Sequence, residues 1–364
     1  MTDKLRVVVI GLSLSSSWGN GHATTYRALL RALAARGHDI VFLERDVPWY
    51  ASERDLADPD FCSLRLYNSP DEVRESVRDA DVVIVGSFVP DGIAVTDLVQ
   101  RVARGIVAFY DIDTPVTMAK LASGDCLYLT AQQIAGFDLY LSFTGGPMLQ
   151  RIEAQYGARL ALALYCSVDP ELYRPTGHSR RWDLGYLGTY SPDRQATLKR
   201  LLIEPARSLP NHRFVVAGPQ YPDDIDWPDN VERLAHVSPA DHAEFYSSMA
   251  WTLNVTRTDM IACGYSPSVR LFEAAACRTP ILSDRWEGLD NVLRVGTEIL
   301  VADSTNDVML ALAMPEEARD IIAETARDRI LREHTAAHRA HELEQHLFAA
   351  RATKAVRNPV VRAA

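Results

Sequence analysis

Short, uninterrupted apolar runs recur along this chain, and most are followed by stretches whose apolar residues return every three or four positions. The run 5–11, LRVVVIG, is almost wholly apolar after Arg6, which predicts a strand buried on both faces. The next stretch, 23–37, ATTYRALLRALAARG, has helical spacing and stops on Gly37. Further strands are predicted at 39–44, 81–86, 105–111, 138–143 and 160–165. Segment 166–182, CSVDPELYRPTGHSRRW, breaks the pattern with Pro, Gly and charge and reads as a linker. The alternation then restarts, with strands predicted at 183–188, 212–218, 249–256, 279–284 and 297–302 and helices at 193–206 and 267–277. Two polar, Ala-rich helices, about 315–333 and 336–350, precede a basic tail, RATKAVRNPVVRAA. This order predicts the α/β class, with two Rossmann-like doubly wound domains at 1–170 and 171–335 facing a central cleft, and 336–364 as a final helix and tail. Ligands of such sheets sit beyond the carboxyl ends of the strands, so the loops there carry the candidate chemistry.

Composition narrows the class. At 364 residues the chain is long enough for two domains, and 47% hydrophobic with 24% charged residues is ordinary for a globular protein. A net charge of −10 argues against a general nucleic-acid binder but leaves room for a local basic pocket. No apolar stretch is long enough to span a bilayer, and the start of the chain does not read as a signal peptide. Five widely spaced cysteines without a CxxC fit reduced thiols, and the expected location is cytoplasmic.

After the first strand, 11–27 reads GLSLSSSWGNGHATTYR. Gly11, Gly19 and Gly21 do not make the compact GxGxxG of a dinucleotide fold, which argues against a nicotinamide enzyme. Gly19-Asn20-Gly21 would let a ligand approach the backbone, and His22 follows at a helix start, where the dipole disfavours its protonated form. His22 either lines a ligand site or simply caps and packs. After 105–111 come Asp111 and Asp113. Asp113 precedes Thr114-Pro115 and suits an N-cap, leaving Asp111 the freer candidate for a general base or for holding a hydroxyl, ahead of a metal ligand. In the second half, Arg194 and Lys199 follow a strand and suit a diphosphate, or else a solvated helix face. Ser266-Pro267-Ser268 then opens a helix whose first amides, with Arg270, make an anion site. Glu273 lies a turn further in, too deep for a capping box, where a carboxylate can hold the two hydroxyls of a ribose.

The stretch 264–284, GYSPSVRLFEAAACRTPILSD, preceded by LNVTR and followed by WEGLDNVLRVGTEILVAD, resembles the donor-binding half of GT-B glycosyltransferases. The spore-maturation-protein (CgeB-like) group, related to the family-four retaining enzymes, is the nearest in pattern. Segment 165–175, YCSVDPELYRP, is similar to the piece that joins the two domains in those enzymes. The resemblance implies a metal-independent transfer of a hexosyl or related sugar from a UDP, dTDP or GDP sugar, a co-substrate rather than a cofactor, to an acceptor hydroxyl. It puts Glu273 at the second Glu of an E-x7-E motif, on the ribose. Ser266 to Ser268 would face the diphosphate, and Gly188, Tyr265 and Val269 complete the expected donor-binding set. Arg194, Lys199 and Arg270 would neutralise the leaving diphosphate, while His22, Asp111 and Asp113 would line the acceptor side. The sequence departs from the pattern twice: Tyr265 stands where the first Glu falls, and Arg278 stands at a usual glycine. The final helices, 315–350, would cross back to the N-terminal domain. The acceptor could be a glycan, a lipid-linked intermediate, a natural product or a protein, with neither nucleic acid nor an integral membrane segment expected. An epimerase or hydrolase of the sugar nucleotide, or a non-catalytic binder of it, fits the same residues.

Overall fold

The computed structural model describes residues 4–18 and 21–357. Gly19 and Asn20, expected in the ligand-facing loop, lie outside the described residues, as does the tail from 358 onward. Contacts divide the chain into two units, one running to Tyr165 and resuming at Ala336, the other Cys166–Thr335. Val168 bridges to Thr335, and its amide donates to His334 O at 3.2 Å, so the segment expected to end the first domain belongs to the second unit.

The first unit has seven parallel strands: β1 Arg6–Gly11, β2 Asp39–Arg45, β3 Ser63–Tyr67, β4 Val82–Gly86, β5 Ile106–Asp111, β6 Leu139–Ser142 and β7 Ala161–Ala163. Their order is β3-β2-β1-β4-β5-β6-β7. Central strands β4 and β5 are buried at every position, which is why they read as continuous apolar runs. Edge strand β3, SLRLY, is mostly uncovered and carries no such run, so the sequence pattern misses it. Helix His22–Ala35 buries Tyr26, Leu29, Leu30 and Leu33. Tyr26 sets a close approach, since a Cβ at Gly86 would lie 1.9 Å from its hydroxyl. The C-terminal helix Ala336–Arg357 packs on His22–Ala35 and puts buried Glu344 against Arg36 and His38.

The second unit has six parallel strands: β8 Trp182–Leu187, β9 Phe214–Ala217, β10 Val231–Leu234, β11 Met249–Asn254, β12 Ile281–Ser283 and β13 Leu300–Val301. The order β10-β9-β8-β11-β12-β13 repeats the doubly wound pattern of the first unit. Trp251 anchors the core, its indole N–H donating to Ala311 O at 3.1 Å. The helix expected at 193–206 runs as Pro192–Leu198, a π turn Lys199–Ile203, and Glu204–Ser208. Pro205 has no N–H for the carbonyl four residues back, and the wider turn lies just before it. Helix Glu316–Glu333 stays within this unit, Arg327 Nε donating to Ala276 O at 3.2 Å. Only Ala336–Arg357 joins the first unit, which corrects the expectation for 315–350.

Candidate functional site

In each unit the strand order reverses beside the first strand, between β1 and β4 and between β8 and β11. Loops diverge there at the carboxyl ends of the strands and leave a crevice. The candidate residues cluster on those loops.

In the second unit, β8 ends at Leu187, and Arg270 reaches it from the first turn of helix Val269–Ala276. Its Nε donates to Leu187 O at 2.9 Å, its Nη2 donates to the same carbonyl, and its Nη1 donates to Asn254 Oδ1 at 2.8 Å. The guanidinium also lies over the Tyr186 ring at 4.8 Å. Gly188 permits this approach, because a Cβ there would sit 2.6 Å from Tyr186 Oη and 3.1 Å from Arg270 Nη2. Arg270 is therefore a buried strut between β8 and β11, with only part of its donor set left for a ligand. Arg194 is more open. Its Nη2 donates to Thr189 O, and its Nε has no partner among the described residues. Burial lowers its pKa, and the neighbouring charges of Arg270 and Arg257 lower it further. Among the described residues none of these three arginines has a carboxylate at ion-pair distance. Nearby Asp193 instead accepts from Thr258 N at 2.9 Å and from the Ser191 hydroxyl. Lys199 does not join this cluster: it lies exposed at the start of the π turn, and the cations acting most on Arg194 are Arg270 and Arg257.

Helix Val269–Ala276 is capped by Ser268, whose Oγ accepts from Arg270 N at 3.3 Å. The cap is thus Ser268 rather than Ser266, which is buried before it, and Val269 is the first helical residue. Tyr265 holds a left-handed backbone, φ 47°, with its amide bonded to Glu287 O and its ring against Gly288. Glu273 faces inward, 5% exposed, and accepts from Tyr246 Oη at 3.2 Å; His242 Nδ1 is 3.9 Å away. Burial and the neighbouring Glu273 charge raise Tyr173, a second phenol beside the carboxylate, so only the acceptor capacity beyond these two tyrosines is left for a ligand. Beyond Asn254, Asp284 is buried against Thr256, accepting from its amide at 2.8 Å and its hydroxyl at 2.6 Å. Burial raises Asp284, and the Thr256 bonds offset part of that rise. Arg257, Asn254 and Asp284 were not singled out in the sequence. Arg257 carries the one available signal, a cation just past a strand end, whereas Asn254 and Asp284 act only through contacts distant in the chain.

In the first unit, His22 opens helix His22–Ala35, 7% exposed, with Nε2 3.6 Å from Asp113 Oδ2. Its Nδ1 has no partner among the described residues. Asp113 occupies the N-cap position of helix Thr114–Ser123, yet its side chain makes no capping bond and points to His22 instead. Phe88 follows β4 with φ 61°, an uncommon conformation for a bulky residue, and meets the His22 ring edge-on at 5.6 Å. Its other neighbours are Tyr128, 4.6 Å between ring centres, and the Lys120 ammonium, 4.9 Å from its ring.

Asp111 is not the open acid expected. It is fully buried, accepting from Thr117 Oγ1 at 2.6 Å and Tyr140 Oη at 2.5 Å, and burial pushes it up to about 6. Thr117 Oγ1 also lies 2.8 Å from Tyr128 Oη, so Asp111 supports the wall beside His22 rather than facing a ligand. Glu44 does similar work for the Ser-rich loop, accepting from Leu14 N at 2.6 Å, Ser15 N at 2.9 Å and Ser15 Oγ at 2.6 Å. No cluster of three or more metal-ligating side chains occurs among the described residues.

Residues 194–345 match the family model described as "Glycosyl transferase-like". No curated protein matches the chain by sequence. The fold is similar to HepE of Anabaena in complex with UDP, with TM-score 0.70 and 13% identity over 95% of this chain and 100% of that one. It is similar to an alpha-glucosyltransferase in complex with UDP and a 13-mer DNA, with TM-score 0.68, 13% identity and the same coverage. Sucrose-phosphate synthase of Thermosynechococcus elongatus gives TM-score 0.67 at 13% identity, again over 95% and 100%. The two parallel-sheet units have the GT-B fold, and most of the segment that matches the family model lies in the second unit.

Proposed function

We propose that this chain transfers a sugar from a nucleoside-diphosphate sugar to an acceptor hydroxyl, and that the nucleotide is uridine-based. The observation that carries the reading is the trio Arg194, Arg257 and Arg270, whose charges act on one another and whose neighbouring carboxylates, Asp193 and Asp284, stop short of ion-pair distance and are bonded to Thr258, Ser191 and Thr256 instead. Like charges assembled at a doubly wound switch point are costly unless an anion joins them. Two phosphates are the natural occupant, because guanidiniums bind their oxygens in forked pairs. The glycosyltransferase-like match and the UDP bound to HepE support a UDP sugar as donor.

In this reading Arg194 and Arg257 contact the diphosphate, while Arg270 adds charge and fixes Tyr186 and Gly188 below it. Ser268 and Val269 present the helix start to the same group, Tyr265 borders it, and Glu273 accepts the ribose hydroxyls. When the glycosidic C–O bond breaks, the electron pair leaves on the diphosphate, and the arginines stabilise that charge without a metal. On the first unit, His22 takes the acceptor proton, with the Asp113 carboxylate facing the ring.

Titration calorimetry with UDP, GDP, dTDP and ADP tests the donor. We expect micromolar binding of UDP, weakened at least tenfold, about 1.4 kcal/mol, in Arg194→Ala. Glu273→Gln should weaken uridine binding while leaving pyrophosphate binding intact. The absence of binding by any nucleoside diphosphate, or equal affinity in Arg194→Ala, would refute the proposal. UDP release from UDP-glucose without an acceptor, at the full rate, would favour hydrolysis over transfer.

A further inference from the structure

The first unit carries a concentration of positive charge of its own, at the end of its strands opposite His22. A cavity of about 440 Å³ opens at the N-terminal ends of β4 and β5, where the last turns of helix Ala336–Arg357 pass. Arg78, Arg104, Arg351 and Lys354 line it, with Asp79 and Asp81 among them. The charges do not cancel. Asp79 is shared by Arg78 at 3.5 Å and Arg104 at 3.7 Å, and Asp81 faces Arg351 at 3.6 Å. Asp138, just beyond the lining, is shared by Lys354 at 2.8 Å and Arg159 at 3.0 Å. Five cations thus meet three carboxylates, on a chain whose net charge is −10.

Contact lengths show which donors remain open. Lys354 is committed, donating to Gly105 O at 2.7 Å and to Asp138 at 2.8 Å. Arg78, Arg104 and Arg351 stand 3.5 to 3.7 Å from their carboxylates, beyond hydrogen-bond length, so their N–H groups can turn to another acceptor. Ala80, Ile106 and Ala355 give the cavity an apolar floor. Its volume is in the range of small-ligand sites.

We propose that this cavity binds a small phosphate-bearing ligand, whose phosphate oxygens take forked hydrogen bonds from Arg104 and Arg351 while its uncharged part lies on the apolar floor. A soluble phosphate ester and the glycerophosphate headgroup of an anionic lipid share this chemistry. The site is separate from the donor site and does not rest on the proposed function.

The test uses the full chain at low salt. Glycerol 3-phosphate is titrated calorimetrically, and co-sedimentation is measured with phosphatidylglycerol vesicles and with phosphatidylcholine vesicles. Each is repeated with the double variant Arg104→Glu, Arg351→Glu and with Arg194→Ala. We expect binding to glycerol 3-phosphate, to phosphatidylglycerol vesicles or to both, falling at least tenfold in the double variant and unchanged in Arg194→Ala. Binding to the soluble ester marks a soluble ligand, and retention on anionic vesicles alone marks a headgroup. Both arginines are half exposed or more, so the double variant should keep the wild-type Tm; should it unfold, Arg104→Gln, Arg351→Gln replaces it. The proposal is overturned by the absence of binding to both probes, or by a variant that binds as the wild type does. UDP titration of the double variant reads the donor site independently, so failure at one site is not mistaken for failure at the other.

Discussion

His22 Nε2 lies 3.6 Å from Asp113 Oδ2, although the two residues are 91 positions apart and belong to helices that start after different strands. The carboxylate turns away from its own helix to face the imidazole at ion-pair rather than hydrogen-bond distance, and in the proposed reading its charge offsets the positive charge His22 gains on taking the acceptor proton. His22→Ala should lower acceptor-dependent UDP release by roughly 10²- to 10⁴-fold while leaving UDP affinity unchanged. Asp113→Asn should cost less, about tenfold, because Asp113 is half exposed and water can replace part of its effect. Near wild-type turnover in His22→Ala would mean that the transfer proceeds without this base.

Asp111 makes the opposite demand on pH from an ordinary carboxylate. Burial raises its folded pKa to about 6, whereas an unfolded aspartate titrates near 4. Between those values the folded chain binds a proton that the unfolded chain has released. Stability from this group therefore rises as pH falls from about 6 toward 4, by an amount of order 3 kcal/mol. Urea denaturation of wild type and Asp111→Asn across pH 4 to 7 reads the difference. The variant should lack this component of the pH slope, and parallel curves would show that Asp111 is not protonated in that window.

The sequence showed as much of the architecture as continuous burial could write into it. Strands such as β4 and β5 are covered on both faces, so their residues are apolar throughout, and both sheets were legible from such runs. Edge strands β3 and β10 carry Arg65 and Arg233 and escaped notice, because one side of each needs no cover. In the candidate site, His22, Arg194 and Glu273 stood out by position after a strand or inside an apolar helix. What did not show was the division of labour. In YDIDTP Asp111 reads as the freer acid and Asp113 as a helix cap, yet Asp111 is sealed against Thr117 and Tyr140 while Asp113 faces His22. That difference is made by Tyr140, 29 residues away on the neighbouring strand. Arg270 likewise reads as a free cation until Leu187 and Asn254 claim its donors.

Glu344 ties the C-terminal helix to the first unit and should carry a measurable share of its stability. Burial raises this carboxyl, but hydrogen bonds from Arg36 and His38 bring it below its usual range. Leu5 N donates to His38 Nδ1, so His38 Nε2 carries the proton that Glu344 accepts at 3.0 Å. Glu344→Ala leaves both partners without their acceptor and should cost roughly 3 kcal/mol, whereas Glu344→Gln retains an acceptor for His38 and should cost less. Because the folded pKa is lowered, the contribution is present above the unfolded carboxylate range and fades as pH falls below it. Denaturation at pH 7 that ranks Ala and Gln equally would remove the hydrogen bonds from this account.

Arg278 stands where the resembling family has glycine, and its backbone is left-handed, φ 59°. A residue with a Cβ costs up to about 1 kcal/mol in that conformation. Arg278 recovers part of this through Glu324 and through Asp320 at 3.8 Å, both on helix Glu316–Glu333. All three side chains are more than a third exposed, so these ion pairs return at most several tenths of a kcal/mol. Two substitutions separate the terms. Arg278→Ala loses the pairs and keeps the strain, so it should be slightly destabilising. Arg278→Gly loses the same pairs and relieves the strain, so it should be more stable than Arg278→Ala by about 1 kcal/mol and equal to or above the wild type. Urea midpoints with unchanged m values would read this directly. A glycine variant less stable than the alanine one would show that the chain relaxes out of the left-handed region, and that Arg278 carries no conformational cost.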